Sequence, residues 1–392
     1  MIRSFHSGLR RLAHLGWMCC AFAASSVWAD NIVVGPDGAP TSFREAAAAA
    51  KDGDTIEVLP GDYTGQTVVL LQKRLTIRGL GKRPVFIANS KVAEAKALWV
   101  VRDGEIAVEN IEFRGARAAD ANGAGIRFEK GRLTVRDCGF FDNENGILTG
   151  NDEHAELTIV NSVFADAPRV VGGLAHLLYV GRIARLSVQG SRFQHGFEGH
   201  LLKSRARENR ITANLIVDGP GGGASYEIDL PNGGQAWVVG NVIGQSPDSQ
   251  NRVLVAYGAE GRPWPRNMLY LAHNTLINGG LLPAWFLRVF SDRLPDATEV
   301  HAVNNLTIGP GVFDWGASGH FAGNQHVLFR SALTDAETLS FEPTAASGLR
   351  SSGVDPRAVA GQNLAPLLEF KLPVGTRAVP ALPGWTPGAF QR

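Results

Sequence analysis

The chain has 392 residues, of which 46 are glycine and 19% are charged, and its formal net charge is +1. A chain this close to neutrality lacks the cationic surface that nucleic-acid binding requires, so nucleic acid is not expected as a partner. By length it corresponds to about two to three average domains, unless it is an elongated repeat protein, in which one solenoid can run to several hundred residues.

Residues 1–29 have the pattern of a secretory signal peptide. Three arginines precede or flank the start of a mostly apolar stretch, 12–24, which is too short to span a membrane. The small residues around Val27 predict cleavage after Ala29, and an uncleaved N-terminal anchor is the alternative. We therefore expect a secreted or periplasmic protein with no stable membrane insertion after cleavage.

Removal of the leader changes both the charge and the cysteine content. It takes away three arginines and no acidic residue, which brings the net charge to −2, and it takes away Cys19 and Cys20. Cys138 is then alone, so no internal disulfide can form, and this side chain is predicted to be a small buried apolar residue. Stacked β-sheets would supply the rigidity that a disulfide does not.

The mature chain opens with a short helix followed by turns and strands. The alanine-rich stretch 43–50 predicts a helix with Thr41 or Ser42 as its N-cap. A turn that leads into a strand follows at 52–58, a second turn at 60–63, and an alternating strand at 75–79.

This opening resembles the start of parallel β-helix proteins of the pectate-lyase-like superfamily. The matching pieces are the capping helix, Gly-Asp-Thr-Ile at 53–56, Pro-Gly-Asp-Tyr at 60–63 and Leu-Thr-Ile-Arg-Gly-Leu-Gly at 75–81. The resemblance implies an all-β fold: a right-handed, single-stranded parallel β-helix with an N-terminal helical cap.

The chain then repeats one pattern: an alternating apolar pair, a polar turn residue, and an aromatic or aliphatic residue. The turn positions are Asn110, Asp137, Asn161, Gly190, Asn214, Asn241, Asn274 and Asn305. Their spacing of 24 to 33 residues indicates a solenoid and is too short for the four-stranded blades of a propeller. Asparagines stacked at successive turns are expected to hydrogen-bond to one another and to the backbone.

We predict that the β-helix occupies residues 30–327 and that residues 328–392 form a C-terminal cap with a proline-rich tail. The period is lost after residue 327, and the open end of a β-helix must be covered. Residues 384–390 are predicted to be a closing strand.

Successive coils can be aligned on their apolar residues. The alignment predicts an inward-facing column of Leu178, Leu202, Ile228 and Val255. By strand alternation, the outward face then carries Tyr179, Lys203, Arg205, Glu227 and Asp229. Lys203 and Asp229 fall at matching points of adjacent coils and are expected to lie within hydrogen-bonding range. His200 has inward parity, which favours a hydrogen-bonded core histidine over a catalytic one.

A long β-helix face fits a polysaccharide chain, and the basic residues Lys203, Arg205, Arg207 and Arg210 suit an acidic sugar such as a uronate. β-Elimination of a uronate linkage needs a neutralised carboxylate, a base for the C5 proton and an acid for the leaving oxygen. Lys203 is the predicted base, with Arg205 favouring its neutral form. Arg205 or Arg207 is the predicted partner of the substrate carboxylate. The predicted proton donor is one of Tyr179, His200 and Tyr226.

Further residues are assigned to metal and substrate. Oxygen ligands for Ca²⁺ are predicted at Glu227, Asp229 and Asn232. Contacts with an acidic polysaccharide are predicted at Arg207, Tyr226, Tyr257 and Trp264. Polysaccharide lyases of the superfamily that the chain resembles include some that combine a basic residue on the helix face with calcium, and the resemblance carries over Lys203 and Arg205 as candidates.

Three alternatives stay open at this stage. In the first, Lys203 and Asp229 form a surface ion pair without function, worth about 0–1 kcal/mol. In the second, Glu227 and Asp229 are the paired carboxylates of a glycoside hydrolase. In the third, the chain is a non-catalytic glycan-binding protein of the cell surface. In each case a monomer is expected, and Trp264 is either a sugar-stacking ring or a cover for its own loop.

Overall fold

The computed structural model describes residues 29–170, 173–249, 251–335, 338–381 and 383–391. The predicted signal sequence, apart from Ala29, lies outside these residues, as do Cys19 and Cys20. No helix within the described ranges is long and apolar enough to cross a lipid bilayer.

Three parallel sheets run the length of the molecule, and each coil of the chain contributes one strand to each sheet in turn. Within the described residues the first sheet contains the strands Asn31–Val34, Thr55–Val58, Arg74–Gly79, Glu105–Glu109, Arg132–Arg136, Glu156–Val160, Arg185–Gln189, Glu208–Thr212, Gln235–Val239, Met268–Ala272, Glu299–Val303 and Gly319–Ala322. The second contains Val68–Leu70, Ala97–Val101, Ala124–Phe128, Asn145–Thr149, His176–Val180, Leu202–Ser204, Ile228–Leu230, Val253–Tyr257, Ala284–Val289 and Gly311–Trp315. The third contains Asp62–Thr64, Val85–Ile87, Glu112–Arg114, Gly139–Phe141, Val163–Ala165, Arg192–Gln194, Leu215–Val217, Val242–Gln245, Thr275–Asn278, Leu306–Ile308 and Gln325–Val327. The predicted parallel β-helix is confirmed.

The N-terminal helix, Phe43–Ala49, covers the first coils. Ser42, one of the two predicted candidates, is its N-cap, and it also forms a capping box with Glu45. Its buried Phe43 ring stacks on Trp99, with 4.7 Å between the ring centroids, so the helix closes the open end of the apolar interior.

The interior is filled by stacked side chains of equivalent coils. The third sheet contributes a ladder of rings, Phe86, Phe113, Phe140, Phe164 and Phe193, with centroids 4.6 to 6.2 Å apart. Cys138 is fully buried beside this ladder, as predicted. The rings explain why an aromatic residue recurs at this point of the repeat.

The polar turn residues form two columns rather than the single one predicted. Asn110, Asp137 and Asn161 are the first turn residues and have positive φ angles of 55°, 54° and 50°. The second turn residues form a hydrogen-bonded ladder and are buried, apart from the half-buried Asn324 at its end: Ser162, Ser191, Asn214, Asn241, Asn274, Asn305 and Asn324. The predicted asparagine stack is therefore present, but it belongs to the second half of the β-helix.

We expect Asn241→Ala to lower the free energy of unfolding by about 1–3 kcal/mol, because it leaves buried polar groups without partners. Asn241 Nδ2 donates to Asn274 Oδ1 at 3.0 Å and to the Ile211 carbonyl at 2.8 Å, and Oδ1 accepts the Asn214 backbone N–H at 3.0 Å. Urea unfolding measures the change. The exposed Asn31, replaced in the same way, should leave the midpoint unchanged, and equal effects of the two variants would contradict the ladder's role.

After the last coil strand the chain forms two hairpins, Leu333–Asp335 with Ser340–Pro343 and Leu368–Phe370 with Thr376–Ala378. Short 3₁₀ turns lie at Ser291–Arg293, Arg330–Ala332 and Ala345–Ser347. Residues 384–390 are not a strand, contrary to the prediction. Their apolar side chains pack irregularly instead, and the Ala389 N–H donates to Thr275 Oγ1 at 3.0 Å.

Candidate active site

The outer face of the second sheet holds a continuous column of register partners. Tyr179 pairs with Lys203, Lys203 with Asp229, and Asp229 with Ala256. The inward column of Leu178, Leu202, Ile228 and Val255 is also present. The alignment of the coils therefore placed Lys203 beside Asp229 correctly.

Lys203 is more buried than the sequence suggested, with only 9% of its surface exposed. Its Nζ lies 3.4 Å from Asp229 Oδ2 and 2.7 Å from Glu260 Oε1. Glu260 belongs to the segment 258–266, which joins the strands Val253–Tyr257 and Met268–Ala272 and folds back over the sheet. We call this segment the strap. The expectation that Lys203 faces solvent is wrong because the strap covers it.

Arg205 connects the strap to Tyr179. Its Nε and Nη2 donate to the two carboxylate oxygens of Glu260, each at 2.7 Å, and its Nη1 donates to the Tyr179 hydroxyl at 2.6 Å. Burial opposes ionisation of Glu260, but the hydrogen bonds from Arg205 and Lys203 outweigh it and lower the pKa of this carboxyl to about 2. Burial likewise disfavours the charged guanidinium, but contacts with Glu260 and Tyr179 outweigh it and raise the Arg205 pKa.

Glu260 is the functional residue that the sequence analysis missed. It lies outside any strand, so the alternation of apolar residues does not predict where its side chain points. The one available signal was the length of the connection between Tyr257 and Met268, which has ten residues where the equivalent connections of the three preceding coils have three or four.

His200 lies on the outer face, not in the interior as its parity predicted. It belongs to a stack of rings, His176, His200 and Tyr226, with centroids 5.0 and 4.8 Å apart. His200 Nδ1 accepts the Tyr226 backbone N–H at 3.2 Å, so a neutral ring carries its proton on Nε2, which faces Asp229 Oδ2 at 3.3 Å. His200 is thus placed to orient Asp229, and its exposure of 8% does not suit a proton donor to substrate.

The parity prediction failed because two consecutive residues of these coils both point inward. Leu177 and Leu178 are both in the apolar core, as are Leu201 and Leu202. The residue that precedes each leucine pair, His176 or His200, therefore lies on the outer face. The same break moves Glu227, which precedes Ile228, from the outer face into the interior.

Glu227 is fully buried at the position that Leu201 and Leu254 occupy in the adjacent coils. Neither carboxylate oxygen has a hydrogen-bond partner. Burial, followed by the nearby negative charge of Asp218, raises the pKa of Glu227 well above its usual value. Burial also raises the pKa of Asp218 to about 6. Both acids therefore hold their protons to higher pH in the folded state.

The predicted calcium ligands do not converge. Glu227 faces the interior, whereas Asp229 faces the outer side and is paired with Lys203 and His200. Asn232 Nδ2 donates to the Gly261 carbonyl at 2.6 Å. Among the described residues, no group of three or more His, Cys, Asp or Glu is placed to hold a metal ion. These residues do not fit the predicted calcium site, and we assign no step to calcium.

Two of the predicted substrate contacts are also wrong. Tyr257 is fully buried, and its hydroxyl donates to the Gly234 carbonyl. Trp264 is only 3% exposed, because the Arg182 guanidinium covers its ring at 3.8 Å and its Nε1 donates to the Arg205 carbonyl at 3.0 Å. Trp264 therefore anchors the strap. Arg207 is exposed and Tyr226 half-buried, so both remain candidates.

A polar groove of about 450 Å³ runs beside Lys203 and its partner Asp229, across the outer face of the second sheet. Its lining includes Tyr179, Glu260 and four arginines: Arg127, Arg182, Arg205 and Arg262. An arginine-rich trough with partly exposed guanidinium groups is suited to binding a chain of carboxylates.

We expect Glu227→Gln to flatten the dependence of stability on pH. A group whose pKa is raised on folding contributes stability at low pH that is lost as pH rises from its unfolded pKa, 4.5 here, toward the folded one. The wild-type thermal midpoint should therefore fall as the pH rises above 4.5, and the midpoint of the variant should fall less, because Glu227 no longer contributes while Asp218, with its pKa of about 6, still does. Parallel profiles of thermal midpoint against pH for the two proteins would contradict the assignment.

Glu227→Leu should raise the free energy of unfolding at neutral pH by about 1–3 kcal/mol.

No family model matches the sequence. Among solved structures, pectate lyase Pel9A superposes with a TM-score of 0.58 at 15% identity, and the match covers 93% of this chain and 96% of that one. The PL6 family alginate lyase AlyGC gives a TM-score of 0.42 at 14% identity, over 76% of this chain and 40% of that one. The chain therefore has the parallel β-helix fold of Pel9A over almost its whole length. The predicted pectate-lyase-like architecture is confirmed at the level of the fold.

Proposed function

We propose that this protein is an exported polysaccharide lyase that cleaves a uronate-containing polysaccharide by β-elimination. The observation that supports this most is the arginine-lined groove, whose lining includes Arg205 and Tyr179, with Lys203 directly beside them below Glu260. Pel9A, which has the same fold, is a pectate lyase. Secretion or periplasmic location, and a monomeric state, are part of the same proposal.

Arg205, Lys203 and Tyr179 have separate roles in the elimination. Arg205, held by Tyr179 from one side, presents its fork to the substrate carboxylate and neutralises it, which acidifies the adjacent C5 proton. Lys203 removes that proton as a neutral amine. The electron pair left on C5 forms the C4–C5 double bond, and the C4–O bond to the leaving sugar breaks. Tyr179 donates the proton that the leaving oxygen needs.

The environment of Lys203 sets a condition on this mechanism. Two carboxylates, Asp229 and Glu260, stabilise its ammonium form in the structure. Glu260 must leave Nζ before Lys203 can contact a substrate, and Asp229 is then its remaining carboxylate partner. His200 then has a positioning role, because it fixes the orientation of the remaining partner, Asp229.

The predicted hydrolase pair is overturned, since Glu227 and Asp229 lie on opposite sides of the sheet. The non-catalytic glycan-binding alternative is separated by assay. The protein is incubated with a panel of uronate polymers, and ultraviolet absorbance detects the unsaturated product of elimination. New reducing ends without that absorbance would indicate hydrolysis, and binding without either product would indicate a glycan-binding protein.

A further inference from the structure

Glu260 makes the same contacts that the proposed function assigns to a substrate carboxylate. Arg205 holds both its oxygens through a two-pronged contact, with each N–O distance 2.7 Å, and Lys203 Nζ holds Oε1 at 2.7 Å. Short, paired contacts of this kind are the usual way in which an arginine binds a carboxylate. An acidic sugar cannot reach the Arg205 fork while Glu260 is there.

We infer that Glu260 is an internal competitor for the substrate: its carboxylate occupies the carboxylate subsite, and the strap must release it before an acidic sugar binds. This inference rests on the proposed function. It also defines the subsite, which holds one carboxylate between Arg205 and Lys203. The sugar class is then one in which each sugar unit to be cleaved carries a carboxylate.

The strap is anchored by Trp264 at one end, and around Glu260 its backbone is held by hydrogen bonds: the Glu260 N–H donates to the Pro231 carbonyl at 3.0 Å, and Asn232 Nδ2 donates to the Gly261 carbonyl at 2.6 Å. Trp264 is the anchor, buried below Arg182 and bonded to the Arg205 carbonyl. Glu260 itself lies between Gly258 and Gly261, which have φ angles of 88° and 67°, and a Cβ at Gly261 would meet open space. Rotation about the two glycines turns residues 259–262 outward without moving the anchor, provided that these backbone hydrogen bonds and the one from Arg182 Nη1 to the Arg262 carbonyl break.

Release of the strap would also free Lys203 from one of its two carboxylates. A single movement would thus empty the carboxylate subsite and leave Arg205 and Lys203 open to an incoming sugar. The incoming sugar carboxylate would compensate the Arg205 charge in place of Glu260.

The test compares Glu260→Gln with Glu153→Gln. Both variants remove one negative charge beside the groove, since Glu153 pairs with Arg182 at 3.3 Å and its side chain is 51% exposed. Any increase in affinity that comes only from the loss of a negative charge near a polyanion should therefore appear in both variants. Calorimetry measures the binding of polygalacturonate and alginate oligosaccharides, with methyl-esterified oligogalacturonate as the uncharged probe, and thermal melting confirms that each variant is folded.

We expect Glu260→Gln to bind an acidic oligosaccharide about tenfold more tightly than wild type and Glu153→Gln, because the competing bound state is removed. The esterified probe should show no such difference. Equal affinity in the two variants, or weaker binding by Glu260→Gln, would overturn the inference and make Glu260 a support for Arg205. If wild type and both variants bind none of the acidic probes, the proposed function itself fails. Glu260→Ala provides a second variant with the same expected gain.

Discussion

Replacing Lys203 by arginine is expected to reduce the rate of elimination by about 10²–10⁴-fold, the usual contribution of a general base, while the protein stays folded. Arginine keeps the positive charge that Asp229 and Glu260 neutralise, but it does not lose its proton near neutrality and so cannot accept the C5 proton. Initial rates of ultraviolet absorbance with the best uronate polymer measure the loss.

Two further variants make this result specific. Lys130→Arg is the control, since Lys130 is 63% exposed and pairs only at long range with Asp152. Lys203→Ala should lose both activity and stability, because Asp229, which is 2% exposed, keeps only His200 as a partner. Activity of Lys203→Arg close to that of wild type would remove Lys203 from the proton transfer and leave it a structural ion pair.

Phe164→Ala is expected to lower the free energy of unfolding by about 3–5 kcal/mol. The ring is fully buried and stacks on Phe140 and Phe193 with centroids 4.6 and 4.8 Å apart. Removal leaves a cavity in the middle of the ladder and breaks two aromatic contacts. The coils above and below are held in register by backbone hydrogen bonds and cannot move together to fill it.

Urea unfolding followed by tryptophan fluorescence measures this effect. Phe329→Ala is the matched control, because Phe329 is 70% exposed and its removal opens no cavity. A similar loss of stability in both variants would show that the ladder is not the main source of the β-helix's stability.

The sequence predicted the features that depend on repetition. Each coil presents the same apolar pattern to its neighbours, so aligning the coils on Leu178, Leu202 and Ile228 also aligned Tyr179, Lys203 and Asp229. The capping helix was equally predictable, because the alanine-rich stretch 43–50 after Thr41 and Ser42 is a local signal that needs no partner elsewhere in the chain.

The errors lie where the local rule breaks. Two consecutive inward leucines interrupt the alternation, and this placed His200 and Glu227 on the wrong sides. The doublets Leu177-Leu178 and Leu201-Leu202 were visible in the sequence, but a glutamate at the equivalent point of the next coil hid the repetition. Glu260 could not be placed at all, since the path of a long connection depends on tertiary contacts such as the Trp264 anchor.

The asparagine ladder has a consequence for how such a chain changes in length. Each amide donates to the next coil and accepts from the previous one, so the ladder has a direction, and the coils within it, those of Asn241, Asn274 and Asn305, make equivalent bonds. Duplication or deletion of a whole coil would leave both kinds of bond intact, whereas an insertion of a few residues at the turn would break them. Length variation between related molecules should therefore occur in steps of one full coil, with shorter insertions confined to connections such as the one that bears Glu260.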